Sequence, residues 1–175
     1  TVTPYVGAAS DLRGGPVVLE VPPKGGKASI YGQIVDAWQL TLADVGPAGI
    51  DKGEGGKYLL IPPGHGEGVP AGYIPLQSKT YRVFFVFRSV AAAGSTEADA
   101  HAYTKMLKMY PLAEAGNPKP TRFVDGRSHP LHTLPFYDIR ALEAVRTAFE
   151  IALGGMAFYG RAATEAADPQ LRELF

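Results

Sequence analysis

The sequence predicts a mainly β protein with α, in which an antiparallel β-sandwich from residue 5 to about 90 is followed by a helical bridging segment from 95 onward. Three observations carry this expectation. Short β-branched runs recur with turn signals at intervals of roughly 8 to 12 residues. No helical stretch separates them, and near residue 93 the apolar period changes from two to that of a helix. The corresponding division is a β-sandwich over 1–93 and a helical extension over 94–175.

The clearest strand is Val17-Val18-Leu19-Glu20-Val21, bounded by Gly14-Gly15-Pro16 and Pro22-Pro23. After the turn Lys24-Gly25-Gly26-Lys27, residues Ala28 to Trp38 alternate: Ile30, Gly32, Ile34, Asp36 and Trp38 share one face, and Tyr31, Gln33, Val35 and Ala37 the other. Tyr5 to Asp11, Lys57 to Ile61, Tyr73 to Gln77 and Tyr81 to Arg88 read as further strands. The stretch from Val45 to Gly56, with Gly46, Pro47, Gly49, Gly53 and Gly55, reads as a long surface loop. Past Ala93, Ser95 or Thr96 caps a helix whose first turn holds Glu97 and Asp99, where the dipole favours negative charge. Ala98, Ala102, Met106 and Met109, with Tyr103, Leu107 and Tyr110, carry that helix to Pro111. Leu112 to Pro135 is a Pro-rich connector. A second helix places Ile139, Leu142, Val145, Phe149 and Leu153 on one stripe and stops at Gly154-Gly155, and Asp168-Pro169 opens a third.

Composition narrows the function classes. A chain of 175 residues suits one domain or one domain with an appendage and buries roughly 70% of its unfolded surface. Lys+Arg and Asp+Glu both number 17, so no basic excess points to nucleic acid or an anionic membrane. Gly (21) and Pro (15) make up about a fifth of the residues against a usual 12% or so, yet 46% are hydrophobic, which describes a loop-rich globular protein. Without cysteine there is no disulfide, thiolate metal site or cysteine nucleophile. The densest apolar run, Val83-Phe84-Phe85-Val86-Phe87, is far too short to span a bilayer.

Few residues suggest chemistry. His129-Pro130-Leu131-His132 offers two imidazoles, but Pro130 breaks the helix that would aim both at one ion. The remaining donors, Asp125, His101 and His65, stand at no recognisable spacing, so neither metal nor cofactor is expected. His65 lies in a Gly-Pro loop with no serine placed to complete a triad, and no serine occupies a Gly-x-Ser-x-Gly elbow. Gly53-Glu54-Gly55-Gly56-Lys57 precedes a strand and lacks the spacing of a phosphate loop. More informative are charges on strands that want to be buried: Asp36 beside Ile34 and Trp38, and Arg88 on the face of Phe84. These two satisfy each other as a structural ion pair, lie exposed at strand ends, or hold a ligand. Tyr31, Trp38, Tyr58, Tyr73 and Tyr81 either line a pocket or fill a core.

Several strings in order also carry a resemblance: Gly15-Pro16-Val17-Val18-Leu19-Glu20-Val21-Pro22, Val35-Asp36-Ala37-Trp38-Gln39, Ala43 to Gly49, Asp51 to Leu60, Val69 to Tyr73, and Leu107-Lys108-Met109-Tyr110-Pro111-Leu112. Together with Phe123-Val124-Asp125 and Pro135-Phe136-Tyr137-Asp138, they resemble the bacterial family designated domain of unknown function 1254. The resemblance implies a jelly-roll-like β fold and a longer precursor in which a companion β domain, domain of unknown function 1214, follows this piece. It also implies a periplasmic or otherwise extracytoplasmic address. It carries over no catalytic residue, and relatives often place an aromatic residue where His65 stands. Three functions follow as expectations. The first is an exported soluble domain binding a small organic or carbohydrate-like ligand through Asp36, Trp38, Arg88 and Tyr31. The second is a hydrolase or metal-assisted enzyme using loop His or Asp, and the third a structural partner of the companion domain. Homo-oligomerisation stays open.

Overall fold

The structure, a computed structural model, describes residues 3–66 and 68–126, which lie in one compact unit, Thr1–Pro130. The expected helices beyond Ile139, and His129 and His132, fall outside the described residues. In chain order the elements are β1 (Tyr5–Asp11), β2 (Val17–Val21), β3 (Ala28–Asp36), β4 (Thr41–Val45), β5 (Gly56–Ile61), β6 (Ile74–Gln77), β7 (Arg82–Ala91), α1 (Glu97–Thr104) and β8 (Lys108–Pro111). They form two four-stranded sheets, sheet A ordered β1-β7-β3-β4 and sheet B ordered β6-β5-β2-β8. All neighbours are antiparallel except β5 and β6, which run parallel. The two sheets share one core, as an antiparallel sandwich requires, and the strand order is consistent with a jelly-roll-like fold.

The two sheets differ in what their outer faces must do. On β7, Val83, Phe85, Phe87 and Ser89 are buried while Val86 and Arg88 are exposed, a one-sided pattern. Sheet B is buried on both sides. Leu19, Val21, Tyr58, Leu60 and Leu76 enter the shared core with Ile30, Ile34, Phe85 and Phe87. Val18, Leu59, Ile61 and Tyr110 form a second cluster beneath Tyr73, Leu112 and Ala115. That is why β2 and β5 read as continuous apolar runs instead of alternating ones.

Three local features depart from the sequence reading. β4 was not anticipated, because Thr41-Leu42-Ala43-Asp44-Val45 is short and half polar and becomes a strand only through its pairing with β3. The helix starts as expected: Thr96 and Asp99 close a reciprocal capping box. However, it ends at Thr104 instead of continuing to Tyr110. The amides of Lys105, Met106 and Leu107 turn back onto Ala102, Tyr103 and Thr104, and the chain then pairs with the open edge of β2 as β8. Edge satisfaction wins over helical periodicity here.

The third departure is Val45 to Gly56, which is a folded connection and not a loose surface loop. Asp51, 8% exposed, accepts hydrogen bonds from the amides of Gly46 (2.7 Å) and Gly55 (3.1 Å). Both glycines have positive φ, 107° and 67°. A Cβ on Gly46 would lie 2.0 Å from the Ile30 carbonyl oxygen, and one on Gly55 2.4 Å from that of Val21. Asp51→Ala leaves both amides unpaired and is expected to lower stability by about 3 kcal/mol in urea titration. A loss under about 1 kcal/mol would mean that the clamp does not hold the connection.

Candidate functional site

The residues singled out in the sequence separate into two places. Asp36 is 2% exposed, and its Oδ1 accepts from the amides of Trp38 (2.8 Å) and Leu40 (3.0 Å). The carboxylate therefore closes the β3–β4 turn, which also bonds Gln39 N–H to Asp36 O and Asp36 N–H to Leu40 O. Thr80 Oγ1 secures the same turn by accepting from the Ala37 amide and donating to Arg82 O. Trp38 and Leu40 project from this turn, 55% and 59% exposed.

Arg88 stands elsewhere. In the register, Asp36 pairs with Val83 and Arg88 with Tyr31, so the two charges are five positions, or about 17 Å, apart along β7 and on opposite faces. The ion pair anticipated as one option does not form. Tyr31 and Arg88 are brought together instead, in a row on the outer face that Tyr5 completes across β1. Of the histidine and acidic donors, His101 is exposed on α1, and among the described residues no three such side chains come together as metal ligands.

A concavity lies at the end of sheet B. A cleft of about 800 Å³ opens where the exit of β2, the start of β5, the Lys105–Lys108 link and residues 118–123 converge. Its wall is apolar where Val21, Pro22, Pro23, Leu107, Pro118 and Phe123 face it. Two donors fix those segments: the Tyr103 hydroxyl shares its proton between the Pro22 and Pro23 carbonyls, and the Met109 amide donates to Thr121 Oγ1 at 3.0 Å. Burial, with the Asp51 charge nearby, pushes the Tyr103 phenol up to about 12, so it stays a donor at neutral pH.

The polar groups of the cleft centre on Glu20. Register places Glu20 opposite Lys57 on β5 and opposite Lys108 on β8. Its Oε2 lies 3.1 Å from Lys108 Nζ and its Oε1 3.5 Å from Lys57 Nζ, while Tyr110 donates its hydroxyl to Oε1. Desolvation would raise the Glu20 carboxyl, but the Tyr110 hydrogen bond and the two lysines outweigh it and hold the group below the ordinary carboxylate range. The same burial and the Glu20 contact push the Tyr110 phenol up. Lys105 and Lys119 complete the lining: Lys105 Nζ sits 4.5 Å from the Phe123 ring centroid, and Lys119 reaches Glu114 at 3.5 Å. Sequence reading missed these residues. The available signal was Glu20 as the lone charge in an apolar strand, together with Lys57 and Lys108, each immediately before an apolar or aromatic run.

Deeper in the sandwich, Tyr58 faces Asp51. Burial and that charge raise its phenol, although its hydroxyl has no partner at hydrogen-bond geometry.

Fold and cleft define a two-sheet β-sandwich domain with a pinned concavity at one end. The chain belongs to the family described as Protein of unknown function (DUF1254), whose model matches residues 1–111. Among solved structures it is similar to the VPA0106 protein from Vibrio parahaemolyticus, a structural genomics target, at 17% identity and TM-score 0.55. That likeness, which shows the fold alone, covers 95% of this chain and 50% of the Vibrio chain, so the chain spans about half that protein's length. No curated protein matches. No helix among the described residues is long and apolar enough to cross a membrane.

Two outcomes test this geometry. Asp36→Ala orphans the Trp38 and Leu40 amides and is expected to cost about 2 kcal/mol by urea unfolding, whereas Asp36→Asn keeps an oxygen acceptor and retains most of that stability. Because the folded carboxyl of Glu20 lies below its ordinary 4.5, its contribution is present above that pH and is lost as pH falls through the folded value. Glu20→Gln should therefore unfold with a shallower pH dependence below about 4.5; curves that stay parallel in that range would contradict the assignment.

Proposed function

We propose that this domain binds a small organic molecule in the cleft at the end of sheet B. The observation that carries the reading is a cavity of about 800 Å³ with apolar walls and a few fixed polar groups, within the size range of small-molecule sites. The walls are held by bonds within the protein, so little ordering cost falls on the ligand. Tyr31 and Arg88, with Tyr5, form a separate row on the outer face of sheet A, which offers a carbohydrate-like ligand a stacking surface. A companion domain of the same precursor and an extracytoplasmic address belong to this proposal. Support for the first comes from the family resemblance and from the greater length of the Vibrio chain, and for the second from the resemblance alone.

The test is a set of small neutral and charged organic compounds titrated into the isotope-labelled chain. Expected are amide shift changes confined to residues 20, 21, 56, 57, 105–108, 119 and 121–123 that disappear in Met106→Trp, which fills the cleft from an exposed position. Shifts confined to other surfaces, or unaltered by the substitution, would overturn the reading.

A further inference from the structure

The whole chain is neutral, with 17 basic residues and 17 acidic ones, so any local imbalance is a property of the fold. The cleft is such a place. Lys57, Lys105, Lys108 and Lys119 line it, against the single carboxylate of Glu20. That carboxylate is already shared between Lys57 and Lys108 and the Tyr110 hydroxyl, leaving three net positive charges on the lining. Lys119 is drawn partly outward by Glu114, whereas Lys105 lies over the face of the Phe123 ring. Between the ammonium groups the wall is proline, valine, leucine and phenylalanine, which no inorganic ion would cover. Lysine supplies point charges and lacks the planar fork of arginine, so the site suits oxyanion groups approached from several directions.

We infer that the ligand of this cleft is an organic oxyanion: an apolar, ring-sized body carrying carboxylate or phosphate groups that meet Lys105, Lys108 and Lys119 while the body lies against Phe123 and Leu107. The inference rests on the binding reading given above and adds its chemical class. A concavity walled by low-dielectric side chains focuses the lysine field toward its opening, so the same charges also speed capture of an anion.

Three probes test it on the full chain by calorimetry and amide shifts: trimesate, phenyl phosphate, and the neutral tris(hydroxymethyl) analogue of trimesate. Expected is binding of at least one anion at the cleft, with the neutral analogue weaker by about tenfold or more, and whichever anion binds tighter separates carboxylate from phosphate. Lys105→Gln combined with Lys119→Gln, both exposed positions, should weaken the anion by about tenfold, on the order of two partly exposed ion contacts, while Lys79→Gln away from the cleft leaves it unchanged. Raising salt should weaken the anion and not the neutral analogue. If the neutral analogue binds as tightly as the anions, or if neutral compounds of the wider set occupy the cleft and neither anion does, the oxyanion inference falls and the binding reading stands. If nothing occupies the cleft, both fall.

Discussion

The central constraint of this structure is that sheet B must be covered on both faces while β2, one of its two inner strands, carries a carboxylate. Val18 and Leu59 are buried on one side as completely as Leu19 and Leu60 are on the other, so an ionised side chain within β2 has no open water face. Glu20 resolves this at the strand end, where one neighbouring strand supplies Lys57 and the other Lys108, with Tyr110 beneath. The charge thus fixes what may flank β2. It also explains why β8 lies there at all: a strand beginning Lys108-Met109-Tyr110 gives an ammonium to the rim and a buried ring to the second cluster. The cleft is the space left where these partners stop.

A second constraint governs how the chain passes from sheet A to sheet B. Between β4 and β5 it must turn tightly while half buried, and a buried backbone cannot leave amides unpaired. Asp51 meets this by taking the Gly46 and Gly55 amides with its two oxygens, one at each end of the connection. The Lys24 amide adds a bond to Gly53 O and so ties the β2–β3 turn to the same knot. Since Pro22 and Pro23 belong to that turn and also wall the cleft, the connection supports the cleft from behind.

Much of the fold was legible because its signals are local. β1 and β2 have the bounds their turn residues mark, and Thr96 caps α1 as its spacing with Asp99 implies. β4 and β8 were not legible, since neither pattern distinguishes a strand until a partner edge is present. Asp36 shows the limit most clearly. Its burial could be read from the alternation of β3, but its partners are the amides two and four residues on, not the distant arginine that strand periodicity suggested. A short acidic side chain just before a turn satisfies the nearest donors first, because that closure orders few residues.

The cleft was hidden for the opposite reason. Its polar groups come from positions 20, 57, 105, 108 and 119, and no spacing in the chain relates them. What unites them is register: Glu20 opposite Lys57 and Lys108 is a statement about strand pairing, and the Lys105 approach to Phe123 depends on a helix that ends a turn or more before its apolar pattern does. Composition reported a neutral chain, and correctly so, yet folding redistributes that neutrality by pairing Asp11, Glu54 and Asp99 with Arg13, Lys24 and Lys27 elsewhere on the surface. Those acids stand off the cleft's lining, where four lysines meet the single carboxylate of Glu20. Net charge therefore speaks for the partners a whole surface attracts, and the charge of a concavity has to be read from the fold that builds it.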